Sequence, residues 1–380
     1  MIIEPKVPAE VLEAIRAPFA EADAEAVDAP VIQPLGLLLD LAGEAMRSRL
    51  FVVQGEGGEE ACLRPDFTIP IARAHLAEGG GAGRYTYEGK AFRVAPRGSG
   101  RAEEFLQVGI EVYGGLGDPA EDAEVAALAW RASAAGGRED LQLLMGDVAL
   151  FSAFIDALGL AEALSARLKR AFSHPRALHA ELDRAQAPAP QPRQGDRLSS
   201  LLAGLPEAEA CAVLEDLWAI AGIRPVGGRR PAEIVHRLAE RAAAAKAPRL
   251  SEAEAGLVQR YLTIAEPPRA ALDRIAALAR EGGLALDGPL GAWADRLDNL
   301  VALGAPEQRM TLASGFGRSF SYYDGFLFEV RSPALGEEAP VAAGGRYDSL
   351  ALALGGAAGV RAVGCMVRPA RAWAGSEGAA

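Results

Sequence analysis

The nine residues Phe105-Leu106-Gln107-Val108-Gly109-Ile110-Glu111-Val112-Tyr113 constrain this chain more than any other segment. Read as a strand, they place Leu106, Val108, Ile110 and Val112 on one face. Phe105, Gln107, Gly109, Glu111 and Tyr113 fall on the other, because successive strand side chains alternate. The first face is pure core. On the second, Gln107 and Glu111 stand about 13 Å apart at ~3.3 Å per residue, and Gly109 is expected to leave an empty floor between them. Two long polar side chains over a glycine suit the two ends of an amino-acid-sized ligand. A half-exposed strand of an antiparallel sheet produces the same pattern.

The flanking sequence supplies partners for that strand. Tyr85 to Arg93 reads as a second strand, and the turn-rich loop Val94 to Arg101 predicts a long-looped antiparallel hairpin. Asp118-Pro119 is an N-cap and first-turn pair for a helix reaching about Ala135, where Gly136-Gly137 stops it. Upstream, helical spacing over 8–27 precedes a short extended piece at Val31 to Pro34, and a helix over Ile69 to Leu76 follows Leu63-Arg64-Pro65-Asp66-Phe67-Thr68. Leu141 to Leu144 reads as a strand. From Phe151 to Leu303, Ala, Leu, Glu and Arg recur at helical spacing, broken by Ala187 to Pro192 and by Gly227-Gly228. Strand and turn signals return in Arg318 to Val330, Gly344 to Asp348 and Val360 to Val367. The expectation is an α+β chain in three parts: a first core segment over 1–150, a mainly helical insertion over 151–303, and a second core segment over 304–380.

Composition narrows the function. With 51 acidic against 39 basic residues and a net charge of −12, broad capture of nucleic acid or of an anionic membrane is disfavoured. Half of the residues are hydrophobic, which argues against disorder. Cys62, Cys211 and Cys365 are odd in number and far apart, so neither a disulfide framework nor a zinc site is expected. His75, His174, His179 and His236 lack metal-like spacing, and no phosphate loop, nucleophile elbow or His-Glu-x-x-His helix occurs. No basic leader with an apolar core and no run of 18 apolar residues is visible, so the chain reads as soluble and cytoplasmic. No metal or cofactor is expected; a small molecule or a protein is the anticipated partner.

Three further groups bear on chemistry. Arg93, Arg97 and Arg101 suit a carboxylate or phosphate, although arginines in a glycine-rich loop are often simply solvated. Tyr322-Tyr323, with Gly325 and Glu329 nearby, suits an aromatic wall beside a ligand. Gly344-Gly345-Arg346-Tyr347-Asp348 is a tight turn permitting close backbone approach.

Taken together, these segments resemble the histidyl-tRNA synthetases, a class II synthetase family, over most of the chain outside 151–303. Pro34 stands at the place of the family's motif 1 proline, Leu63 to Thr68 is similar to its Leu-Arg-Pro-Glu-x-Thr element, and Phe92 to Gly114 is similar to motif 2. Arg318-x-x-x-Tyr322-Tyr323, Phe328-Glu329 and Gly344 to Asp348 resemble the histidine-specific motifs. The resemblance implies an antiparallel sheet flanked by helices and a histidine pocket. In it Asp66 and Thr68 face the amino group, Arg93, Gln107 and Arg318 the carboxylate, and Glu111, Tyr323 and Tyr347 the imidazole side, with Tyr322 also in the pocket. Asp66 is one methylene shorter than the family's glutamate.

The nucleotide side departs from that pattern. Ala95 stands where the family has a glutamate for the adenine amino group, Glu103 replaces a motif 2 arginine, and Arg368-Pro369-Ala370-Arg371 keeps only the last residue of the Gly-x-Glu-Arg ending of motif 3. Glu103 is therefore expected to set a negative charge where a triphosphate would lie, disabling adenylate formation. Only Ala372 to Ala380 follow Arg371, so an anticodon-binding domain is expected to be absent.

The pattern resembles the regulatory subunits of ATP phosphoribosyltransferase, paralogues of that family. The resemblance implies a chain with no catalytic residues that binds and activates the short catalytic subunit. It further implies a homodimer through motif 1 within a hetero-octamer, and histidine as a feedback ligand. The alternatives are a shortened histidyl-tRNA synthetase or another histidine-activating ligase, and a stand-alone histidine-binding protein.

Overall fold

The computed structural model describes residues 3–55, 57–187, 201–202, 204–220, 232, 234–238, 248–317, 322–357 and 359–375. Twelve strands occur among them. They are β1 (Glu25–Ala26), β2 (Ile32–Pro34), β3 (Val52–Gln54), β4 (Glu60–Leu63), β5 (Gly83–Phe92), β6 (Glu104–Tyr113), β7 (Gln142–Asp147), β8 (Ala265–Glu266), β9 (Met310–Ala313), β10 (Phe326–Arg331), β11 (Ala342–Arg346) and β12 (Ala362–Val367). Nine form one sheet in the order β1-β5-β6-β12-β11-β10-β7-β9-β8, and β2-β4-β3 form a small second sheet. All pairs are antiparallel except β1 with β5 and β7 with β9.

The alternation along β6 sorts the sheet into two faces. Val108, Ile110 and Val112 enter one apolar core with residues of the helices Ala9–Ala20 and Pro119–Ala134, while Phe105 and Tyr113 enter a second with Tyr85, Tyr87 and Leu327. The helix Pro119–Ala134 forms where its caps dictate: the Asp118 carboxylate accepts from the N–H groups of Ala120 and Glu121, each at 3.0 Å, with Pro119 in the first turn.

Helices dominate the described part of the 151–303 stretch, and their apolar faces join the first core through Leu164, Leu168, Tyr261, Ile275, Trp293 and Leu297. The exception to the helical reading is β8, which pairs with β9 before Pro267. Pro267 lacks an N–H for further ladder bonds, so the strand stops and the helix Pro268–Gly282 begins.

A buried ionic knot ties the helix Asp287–Ala302 to the sheet. Arg296 donates to Asp122 Oδ2 from Nε (3.0 Å) and Nη2 (2.8 Å), and Arg346 Nε donates to Asp122 Oδ1 at 2.8 Å. Trp293 Nε1 donates to Asp147 Oδ2 at 2.8 Å. Arg346 immediately precedes Tyr347, so the knot also fixes one wall of the site below.

Candidate functional site

Glu111 is the centre of the cluster of expected residues, buried behind the Thr68 and Gly364 wall of the first pocket. It stands on β6 directly opposite Tyr85 of β5 and Gly364 of β12. Gly364 is what makes room: a Cβ there would overlap Glu111 Oε2. Thr68, at the start of the helix Thr68–Ala77, donates its hydroxyl to Glu111 Oε1 at 2.9 Å, and the Tyr347 hydroxyl donates to Oε2. Glu111 is 1 % exposed. Burial pushes its carboxyl up to about 8; the two hydroxyl donors oppose this, and the nearby Asp66 charge adds to it. A carboxyl raised this far favours its protonated form near neutral pH.

The other expected residues surround this centre. Asp66 is buried in the loop after β4, with Arg93 Nη2 3.9 Å from its Oδ2, and Arg93 Nε donates to Pro65 O at 2.8 Å. The rings of Tyr322 and Tyr323 are 4.7 Å apart, and both meet the Tyr347 ring edge-on at 5.9 and 6.2 Å. Gln107 is fully buried, and neither atom of its amide has a hydrogen-bond partner among the described residues. Arg318 lies outside the described residues.

Two features were not legible in the sequence. Gly109 does not leave an empty floor. Tyr87 stands opposite it in the β5–β6 register, and a Cβ at Gly109 would overlap the Tyr87 hydroxyl and the Cys365 carbonyl. The glycine instead seats the Tyr87 ring, whose hydroxyl donates to Cys365 O at 3.2 Å. The hairpin register was the signal that could have found this pair, since a tyrosine directly across from a glycine covers it. The pocket is also nearly full: between Asp66, Thr68, Tyr87, Tyr322, Tyr323 and Gly364 only about 20 Å³ is free, room for about one water.

Arg93 separates this pocket from a second cavity of about 760 Å³. Its lining includes Arg49, Arg93, Arg101, Arg331, Arg368 and Arg371, together with Ala95 and Phe105. The Arg368 guanidinium lies 3.5 Å over the Phe105 ring, and that of Arg93 lies 5.5 Å from it. Arg368 pairs with Glu4, and Arg371 Nε is 3.8 Å from the same carboxylate. Burial lowers Arg368 to about 9; the charge of Arg371 adds to this and Glu4 opposes it. Glu4 arrives because Ile3 bridges to Glu104 at the start of β6, a contact with no local sequence signal.

Glu103 differs from expectation. Its Oε1 accepts from the Ala95 N–H at 3.3 Å, closing the neck of the hairpin loop, and it does not line the cavity. The Phe105 ring beside the loop is covered by Arg368.

The family model described as Histidyl-tRNA synthetase matches residues 9–222 and 211–370. Among curated proteins, the ATP phosphoribosyltransferase regulatory subunit of Chelativorans sp. (strain BNC1) is 36% identical over 349 residues, covering 91% of this chain and 92% of that protein. The Brucella anthropi protein of the same name is 35% identical over 359 residues, covering 93% and 94%. Among solved structures, the ATP phosphoribosyltransferase regulatory subunit/histidyl-tRNA synthetase from Bacillus halodurans C has a TM-score of 0.65 at 19% identity, covering 98% of this chain and 82% of that one. A histidine–tRNA ligase subunit from Alicyclobacillus acidocaldarius has a TM-score of 0.58 at 22% identity, covering 99% and 96%. At such identities the solved structures establish the class II synthetase-like fold alone.

Proposed function

This chain belongs to the histidyl-tRNA synthetase-like family of ATP phosphoribosyltransferase regulatory subunits, and from that premise we propose that it regulates a separate catalytic subunit and has no catalysis of its own. The observation that carries this reading is the likeness over more than nine-tenths of the chain to proteins of that name. The site supports it: Arg368 covers the Phe105 ring, and Ala95 offers no side-chain acceptor. In this reading the chain binds and activates the short-form catalytic subunit in the cytoplasm, in the first step of histidine biosynthesis. It contributes feedback by histidine within a hetero-octamer.

Histidine is proposed to occupy the pocket of Asp66, Thr68, Arg93, Gln107, Glu111, Arg318, Tyr322, Tyr323 and Tyr347. The charges suit it: Asp66 matches an ammonium, Arg93 a carboxylate, and the Glu111 carboxyl an imidazole. With about 20 Å³ free, a ligand of that size enters only if walls such as Tyr322 and Tyr323 move. In this reading feedback requires two arrangements of the pocket that bind histidine with different affinities. Self-association through the small sheet is supported by exposed apolar residues on and beside it, Ile32 at 61 %, Val52 at 41 % and the adjoining Val31 at 41 %. The three-part division at 150 and 303 goes with this proposal, the helical insertion serving as an assembly element or as a stabilising cap.

Reconstitution tests the reading. The purified chain should co-elute with a short-form catalytic subunit and raise its phosphoribosyl transfer, while giving no histidine-dependent ATP–pyrophosphate exchange. Robust exchange, or failure to bind or activate the catalytic subunit, would remove it.

A further inference from the structure

Arg64, one residue beyond β4, is 4 % exposed, and no carboxylate pairs with its side chain among the described residues. Its polar partners are carbonyls: Nε donates to Lys90 O at 2.8 Å and Nη1 to Ala29 O. A buried cation without a paired anion is costly, and an apolar side chain of similar length would avoid that cost. Stability alone therefore does not account for an arginine here.

Its guanidinium lies 4.0 Å over the Phe67 ring, and Phe67 stacks on Tyr87 with centroids 4.4 Å apart and planes 12° from parallel. Gly89 leaves the space for this column: a Cβ there would stand 2.6 Å from Arg64 Nη2 and 2.8 Å from Phe67 Cζ. At the far end Tyr87 covers Gly109, donates to Cys365 O at 3.2 Å and borders the free space of the first pocket, which Arg64 does not reach. The near end is pinned by backbone. The Arg64 N–H donates to Val31 O at 2.8 Å, and its carbonyl accepts from the Phe92 N–H at 3.0 Å, fixing the residue between the small sheet and β5. Pinned at one end and stacked through to the other, the column sets the plane of the Tyr87 ring.

We infer that Arg64 is a positioning residue for the first pocket, acting through Phe67 to hold the Tyr87 ring where an amino-acid ligand closes against it. The placement of Tyr87 stands on the column alone; its effect on histidine rests on histidine occupying the pocket.

Fluorine NMR of the full chain carrying 3-fluorotyrosine tests the column without a ligand. Among the seven tyrosines, Tyr87→Phe identifies the Tyr87 signal. Arg64→Met keeps the apolar stem and loses the planar cation, so it should shift or broaden that signal while Tyr261, in the other core, stays unchanged. Calorimetry should show histidine affinity lowered about two- to tenfold in Arg64→Met, the worth of a ring stack and of a cation over a ring. Gly89→Ala displaces the same column with all of its residues present, and it decides the matter if Arg64→Met fails to fold; the same shift and the same loss are expected. An unmoved Tyr87 signal in either folded variant, or a moved signal with unchanged histidine affinity, would overturn the inference. A moved Tyr87 signal in a chain whose wild type binds no histidine would uphold Arg64 as the residue that places Tyr87 and remove histidine from the pocket.

Discussion

The two halves of the cleft diverge at positions four residues apart, Gly364 within β12 and Arg368 just beyond it. At Gly364 the missing side chain is the space that Glu111 fills. At Arg368 a long side chain fills the space over Phe105. One half is closed, and its central carboxyl is satisfied by Thr68 and Tyr347. The other is open and lined by six arginines and three glutamates, with Arg368 and Arg371 gathered around Glu4. Pocket chemistry is thus preserved or remodelled through volume at single backbone positions as much as through charge.

Removing the substitute contact should have the largest effect. Glu4→Ala strands the buried Arg368, and breaking a buried pair costs about 3–5 kcal/mol, readable by denaturant unfolding. Adding Arg368→Gly to the same chain should recover more than half of that loss. If the double variant is no better than the single one, Arg368 does not depend on Glu4, and the contrast between the halves loses its energetic basis.

Gly364→Ala attacks the preserved half. Its Cβ has to displace Glu111, and overpacking of this kind costs about 1–3 kcal/mol. Calorimetry should find histidine affinity lowered at least tenfold, whereas Glu111 left undisturbed would give unchanged affinity.

A smaller effect concerns protons. The Glu111 carboxyl is raised from 4.5 to about 8 on folding, so its contribution to stability is full below pH 4.5 and is lost as pH rises to about 8. Between pH 6 and 9 the melting temperature of the wild type should fall more steeply than that of Glu111→Gln. Parallel curves would show that Glu111 is already ionised in the folded chain, making the two halves alike in carrying fixed charge.

The sequence carried much of the fold and less of the site. The alternation along β6 was legible because its two faces differ so sharply: Val108, Ile110 and Val112 against Gln107, Gly109 and Glu111. Asp118-Pro119 and Gly136-Gly137 marked a helix because caps act locally. Tyr87 over Gly109 was hidden because it depends on strand register, and β8 because two residues in an Ala- and Leu-rich stretch carry no period. Glu4 on Arg368 joins positions 364 residues apart, beyond any local signal.

The central claim is that the Glu111 pocket is where histidine acts and that the chain regulates through it. Histidine inhibition of a reconstituted complex with a short-form catalytic subunit, measured for the wild type and for Glu111→Ala, tests this most directly. Losing a hydrogen bond to a buried partner costs about 1–3 kcal/mol. The account therefore predicts that half-inhibition in the variant needs ten- to a hundredfold more histidine while activation is retained. Equal inhibition of the two complexes would contradict it.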